Sequence, residues 1–356
     1  MRKRILKNME WGILICTVIL IIIGLVALFS ATQNSNYDEL KKQIVWIMVS
    51  IPILIAIIAI DYELLIKIAP ILYGIITLLL AGVLFTTPIN GATSWYNIGA
   101  VSFQPAELAK IVIILSLTYT IVKIQARGKK EINVIYKLAI ILGVAMVPVL
   151  LIIKQPDYGT AIAFIMALIF MLFVAGIDKK YIIIAIAVVI VAVPLLYFFI
   201  LPEHAKTRID VYLNPNLDPR GAGYNIIQSK LAIGAGQLFG MGLLKGNQTQ
   251  LGFLYPKTTD FIFSVIGEEL GFIFAAGIIV LYVVLITKAI YVAKTAKDLE
   301  GSYIAAGIAG IFFFHMLENI GMTMGLLPIT GIPLPFVSYG GSSLLSNNND
   351  RNIIEY

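Results

Sequence analysis

Long apolar runs broken by short polar stretches dominate this chain. Such runs occupy about 11–31, 43–60, 66–86, 106–124, 136–153, 159–176, 180–200, 260–287 and 302–325. Each approaches or exceeds the roughly 20 residues that a helix needs to cross a hydrocarbon core. Turn-forming or polar residues stand at the ends of each run. The pattern predicts an all-α, polytopic membrane helix bundle of about nine spans, forming a single integral membrane domain over 1–356. One large connection, 201–259, separates the seventh and eighth spans. The first run follows "MRKRILKNME" and is too long for the apolar core of a signal peptide. No small-residue cleavage site closes it, so a retained first helix is expected.

Composition supports the pattern. Hydrophobic residues make up 59% of the 356 and charged residues only 13%, about half the usual charged share of a soluble domain. The net charge of +6 would suit a nucleic-acid binder, but the basic residues sit between the apolar runs. Arg2, Lys3, Arg4 and Lys7 precede the first run. Lys123, Arg127, Lys129, Lys130 and Lys137 fill the fourth connection, Lys179 and Lys180 the sixth, and Lys288, Lys294 and Lys297 the eighth. All of these fall on one side if the N-terminus is cytoplasmic, as the positive-inside rule requires. The single cysteine, Cys16, lies inside the first run and excludes a disulfide framework or thiol metal cluster. His204 and His315 fall on different elements, and no phosphate-binding loop, dinucleotide fingerprint or serine-nucleophile elbow is present. A nucleotide-driven reaction within this chain is therefore not expected.

With that orientation the unusual polar sequence collects outside: "NGATSWYNIGAVSFQPAELAK" (90–110), "KQPDYGTA" (154–161), the 201–259 segment, Asp260 and "LPITGIPLPFVSYGGSS" (327–343). Asp260 opens an apolar run, where it would serve either as a helix cap or, partly removed from water, as a general base. Glu268 and Glu269 lie deeper in that run and must turn away from lipid. In "SFQPAELAK", Pro105 suits a first helical turn, and Glu107 with Lys110 stands at i, i+3 on one face. At the edge of a bundle such a pair can hold a cation ready for a phosphate. Asp157 starts another span from the same side, as a cap or a functional group, with Lys154 as its expected partner. The glycine-rich 221–253 segment carries helical apolar spacing from Ile226 to Ile233 and suits short helices along the membrane interface. Arg208, Lys230 and Lys245 of the 201–259 segment suit anionic headgroups.

Several of these stretches resemble the shape, elongation, division and sporulation (SEDS) family of bacterial cell-wall polymerases. They are "GATSWYNIGAVSFQPAELAK", "QPDYGTA", "NPNLDPRGAGYNIIQSKLAIGAGQLFGMGL", "TDFIFSVIGEELGF" and "NIGMTMGLLPITGIPLPFVSYGGSS". The resemblance runs to about Ser343, and "GYNIIQS" and "GNQTQ" look more like the elongation (RodA-like) than the division (FtsW-like) branch. It implies a ten-helix SEDS-type glycosyltransferase of the bacterial cytoplasmic membrane that polymerises lipid II at the outer face. It also implies a class B penicillin-binding protein as the crosslinking partner. The family's essential aspartate matches Asp260, and its polar cavity residues match Glu107, Lys110 and Asp157, with Trp95 near the entrance. The reaction suits these residue types: a base for the attacking sugar hydroxyl, and cations for the departing diphosphate. On that reading Asp260 is the base, while Lys110 and Arg208, with a divalent cation such as Mg or Mn, meet the diphosphate. The metal and its ligands are not specified by the sequence.

Two departures bear on activity. Leu254, Tyr255, Pro256, Lys257, Thr258 and Thr259 precede Asp260, so the family's usual glutamate and histidine are missing. After "SYGGSSLL" the chain reads "SNNNDRNIIEY", which is expected to leave the tenth helix truncated. Two other function classes fit many helices with carboxylates among them: a lipid II flippase, and a non-catalytic scaffold for a penicillin-binding protein. A flippase needs polar groups through the inner half of the bundle, where this sequence is almost bare.

Overall fold

The computed structural model describes residues 10–340 apart from 88–92, 99–100, 201–202 and 219–220. The expectation of a truncated tenth helix lies outside the described residues. In chain order the elements are α1 (Trp11–Ala31), α2 (Asp38–Ala59), α3 (Tyr62–Gly82), β1 (Tyr96–Ile98), β2 (Val101–Phe103), α4 (Pro105–Gln125), α5 (Ile135–Ile153), α6 (Tyr158–Ala175) and α7 (Lys179–Leu195). They continue with α8 (Glu203–Leu213), α9 (Ala222–Ala235), α10 (Asn247–Gln250), α11 (Ile262–Glu269), α12 (Gly271–Thr295) and α13 (Leu299–Thr323). The two three-residue strands pair antiparallel, Tyr96 opposite Phe103.

Among the described residues, seven helical stretches are long and apolar enough to cross a membrane: Trp11–Ala31, Tyr62–Phe85, Ile135–Ile153, Tyr158–Ala175, Lys179–Phe199, Gly271–Thr295 and Leu299–Thr323. The expected spans at 43–60 and 106–124 correspond to α2 and α4, which have 22 and 21 residues. Along α4 the lower hydropathy has a reason: Ser116, Thr118 and Gln125 are buried within protein and do not meet lipid. On α7, by contrast, Ile183, Val188, Ile190 and Val193 are all exposed, an apolar surface suited to contact with hydrocarbon.

By internal contacts the chain forms two compact units. The first comprises Met1–Lys41, Ile177–Val292 and Phe312–Tyr339; the second comprises Lys42–Gly176, Ala293–Ile311 and Gly340–Tyr356. In the first, α1, α11, α12 and the segment after α13 share one apolar core, with Leu20, Leu28, Phe261, Phe263, Ile278, Leu334 and Val337 almost fully buried. In the second, α4 is buried on several sides and packs against α3, α5 and α6.

The run expected to span continuously over 260–287 is broken. Helix α11 stops at Glu269 and α12 restarts at Gly271, whose φ of +82° suits glycine. A Cβ at Gly271 would also lie 2.2 Å from the Gly240 nitrogen and 2.6 Å from the Phe239 carbonyl carbon. The close approach of 239–240 therefore sets the break. The glycine-rich stretch does form a helix, α9, but it packs on protein instead of resting free at an interface. Ile226, Ser229 and Ala232 are buried, and the Ser229 hydroxyl meets the Ser264 hydroxyl at 2.6 Å and donates to Thr323 O at 2.6 Å.

Candidate active site

In the first unit the residues around Asp260 are held by an irregular segment, 326–339. Backbone groups outside regular structure need partners wherever water is scarce, and side chains from several helices supply them. Tyr212 on α8 donates to Leu326 O at 3.1 Å and Arg208 to Ile329 O at 3.4 Å. On α13, Asn319 donates to Ile332 O at 2.8 Å, and His315 Nδ1 lies 3.0 Å from Pro333 O. The Tyr282 hydroxyl of α12 donates to Pro335 O. The segment is also tied to the chain just before Asp260: Ser338 Oγ donates to Thr259 O at 2.7 Å and Tyr339 N–H to Thr258 O at 2.9 Å.

Asp260 sits in the turn preceding α11, half-buried. It does not cap that helix. The N-cap is Phe261, and no side-chain bond is made there, so the carboxylate remains available. Burial raises its pKa above the ordinary aspartate value, opposed by a hydrogen bond from Thr259 and by the positive charge of Arg208. Gly331, at φ +75°, lies directly against it: a Cβ there would stand 3.4 Å from Asp260 Oδ2. Asn319 Nδ2 donates to the Asp260 carbonyl at 3.0 Å.

Glu268 and Glu269 take the structural role. Both are almost fully buried, and both reach the loop 244–250. Glu268 accepts from Gln248 N at 2.7 Å, Thr249 N at 3.0 Å and Thr249 Oγ1 at 2.6 Å. Glu269 accepts from Leu244 N at 3.1 Å, Gly246 N at 3.2 Å and Gln250 Nε2 at 2.8 Å. Each of these hydrogen bonds is donated to a carboxylate, and the pair anchors the loop 244–250. Lys257 joins in by donating to Thr249 O at 2.8 Å.

In the second unit Gln104 is the N-cap of α4 and Pro105 its first residue, the position where a missing N–H costs nothing. One turn on, Lys110 Nζ meets Glu107 Oε1 at 2.8 Å, the lysine side chain 13% exposed and the glutamate 42%. Asp157 is the N-cap of α6 and accepts from Thr160 N at 3.1 Å, while its other oxygen accepts from Gln104 Nε2 at 3.3 Å. Burial raises the Asp157 pKa; the Thr160 hydrogen bonds and the Lys110 charge oppose this, and Glu107 adds to it. The positive charge opposing that rise comes from Lys110, while Lys154, the expected partner, stands exposed. Trp95 is half-buried ahead of β1. Its neighbours fix the backbone there: Ser94 Oγ donates to Gln155 O at 3.3 Å and Tyr96 OH to Leu79 O at 2.9 Å.

The structure thus joins Glu107, Lys110 and Asp157 in one network and Asp260 with Arg208 in another, and the two networks belong to different compact units. Sequence reasoning missed Glu318, Asn319, Thr330 and Gly331. The signal was present in "HMLENIG", where His315, Glu318 and Asn319 recur at i, i+3, i+4 in an apolar run. Among the described residues no group of three or more His, Cys, Asp or Glu side chains is placed to hold a metal ion on protein ligands alone.

Fold and site define a polytopic helical membrane protein whose reactive side chains gather at helix ends and in an irregular segment beside them. The chain belongs to the FtsW/RodA/SpoVE family of cell cycle proteins, whose profile matches residues 10–355. It is 40% identical to the peptidoglycan glycosyltransferase MrdB of Escherichia coli K12, over 78% of this chain and 74% of that one. Identity to the peptidoglycan glycosyltransferase RodA of Treponema pallidum is 30%, over 97% of this chain and 96% of the relative. A solved chain from a peptidoglycan synthase complex that coordinates polymerization and crosslinking superposes with a TM-score of 0.81 at 28% identity, covering 95% of this chain and 94% of that one. The rod shape determining protein RodA of Thermus thermophilus gives 0.70 at 27% identity, over 95% and 92%.

Proposed function

We propose that this chain is a peptidoglycan glycosyltransferase that extends glycan strands from lipid II, with Asp260 as its general base. The observation that carries the base assignment is the state of the Asp260 carboxylate. It caps no helix, is half-buried beside Arg208, and has a pKa raised by burial toward the range where a carboxylate accepts a proton efficiently. In the proposed step Asp260 takes the proton from the acceptor sugar hydroxyl. That oxygen forms a bond to the donor's anomeric carbon as the bond to the lipid diphosphate breaks, inverting the configuration. The leaving diphosphate carries away the bonding electron pair. Arg208 supplies positive charge of the kind this departure needs, and in the second unit Lys110, paired with Glu107, is proposed by itself as a cation for substrate phosphate. Trp95 and Asp157 are proposed as substrate-contacting groups.

The family's resemblance and the solved synthase complex support a class B penicillin-binding protein as partner. The lysine and arginine bias of the connections supports a cytoplasmic N-terminus, which places Asp260 toward the outside.

The test is lipid II polymerisation by the purified chain, alone and with its class B partner, beside Asp260→Asn. Polymer from the parent and none from the variant is expected. Polymer from Asp260→Asn sinks the base assignment. Lipid II transfer across vesicles without any polymer would favour the flippase reading.

A further inference from the structure

We infer that Asn319 is a positioning residue for Asp260, setting where the carboxylate lies along the wall formed by 329–332; this rests on the reading of Asp260 as the base. Asn319 is completely buried on α13, in a helix otherwise rich in apolar residues. It spends both amide protons on main-chain carbonyls of two different segments, Asp260 O at 3.0 Å and Ile332 O at 2.8 Å. One residue before Ile332 is Gly331, the residue that abuts Asp260 Oδ2. The amide therefore spans the base's own main chain and the piece of wall its carboxylate touches. Two neighbouring contacts hold the same stretch: Thr330 Oγ1 donates to Glu318 Oε1 at 2.8 Å, and Arg208 Nη1 donates to Ile329 O at 3.4 Å. Three of the four residues from 329 to 332 are thus tied to helices.

Stability alone gives a poor reason for an asparagine here. Its Oδ1 is buried without a hydrogen-bond partner. An unmet buried acceptor costs at least as much as a net intramolecular hydrogen bond contributes, so it offsets much of what the donated bonds supply. What the amide does deliver is placement, and a misplacement of about 1 Å at a reacting group can cost on the order of 100-fold in rate.

The test uses the full-length chain with its class B partner and the variants Asn319→Leu, Asn319→Gln and Gly331→Ala. None of these changes the charge, and all keep Arg208, Glu318 and Thr259, the groups acting on or beside Asp260. Two readouts are taken: lipid II polymerisation against pH, and the pH midpoint of carbodiimide labelling at Asp260, read by mass spectrometry. The second does not require turnover, and the melting temperature is followed throughout.

For Asn319→Leu, kcat should fall roughly 10- to 100-fold with the lipid II KM within about twofold. The Asp260 labelling midpoint should move down toward that of an ordinary aspartate as water reaches the carboxylate. Asn319→Gln, which keeps the donor pair, should recover part of both, and Gly331→Ala should shift the midpoint from the other side of the contact. An unchanged midpoint in folded Asn319→Leu and Gly331→Ala overturns the inference, whatever the activity. So does a rate loss that only follows the folded fraction. If the midpoints shift as expected but Asp260→Asn still polymerises lipid II, the base reading fails while the positioning geometry stands.

Discussion

Replacing Glu268 with alanine tests whether the acidic pair inside the apolar run anchors the loop 244–250. The substitution removes the acceptor for Gln248 N, Thr249 N and Thr249 Oγ1. Gln248 is half-buried and its N–H can hydrate, so it contributes little. Thr249 is fully buried, and each of its two unmet donors costs about 1–3 kcal/mol. Together the two cost about 2–6 kcal/mol, a range that brackets the roughly 3–5 kcal/mol expected when a buried charged network is broken. Taken at the lower end of the usual conversion for larger proteins, that is a melting-temperature drop of roughly 6–10 °C. Glu269→Ala should behave similarly through Leu244, Gly246 and Gln250, and the double variant should lose less than the two losses added, because both carboxylates hold one loop. The assay is thermal unfolding in detergent, paired with limited proteolysis of 241–257. A drop below about 2 °C, with proteolysis unchanged, would show that the loop is held by other contacts and refute the anchoring role.

On the proposed base assignment, Asp260→Asn should lower polymerisation by roughly 10²- to 10⁴-fold with little change in lipid II affinity. The pH dependence has a definite sign. Because burial raises the Asp260 pKa, the ionised, active form appears only above the usual aspartate range, and the acid limb of kcat should be displaced upward accordingly. The same shift makes the carboxylate stabilising only while protonated: its contribution is complete below the unfolded-state pKa and is lost as pH rises through the folded one. Asp260→Asn should therefore melt higher than the parent at neutral pH, and a lower melting temperature there would contradict the burial argument. Lys110→Ala should weaken lipid II use while costing at most about 1 kcal/mol of pair energy, because Glu107 is substantially exposed; Lys110→Arg should retain part of the activity. Asp157→Ala should cost about 1 kcal/mol through loss of the α6 cap, a stability loss that Asp157→Asn largely avoids while still exposing any role of the charge in catalysis.

Much of the architecture was open to sequence reasoning, because a run of some twenty apolar residues has few ways to satisfy its backbone outside a membrane helix. Local chemistry was equally legible: Pro105 at the first position of α4, the Glu107–Lys110 pair one turn on, and Asp157 as the cap of α6 each depend on residues at most four apart. The break at Leu270–Gly271 was not legible, since it depends on Gly240 approaching from thirty residues upstream. The charge felt by Asp157 was not legible for the same reason, as it comes from Lys110 on another helix.

Asp260 shows where the division falls. Its place at the head of an apolar run, after two threonines, marked it as either a cap or a base, and nothing within a few residues could choose between them. Its surroundings were set by which segments met. The helix took the next residue, Phe261, as its N-cap, while from farther along the chain Asn319 took hold of the Asp260 carbonyl, Gly331 closed against the carboxylate and Arg208 placed its charge nearby. Apolar periodicity and short-range capping are properties of neighbouring residues, so the sequence determined the membrane class, most of the helices and the candidate carboxylates. Burial and hydrogen-bond partners depend on which segments meet, so only the tertiary structure decided that Glu268 and Glu269 anchor a loop and that Asp260 is left available for chemistry.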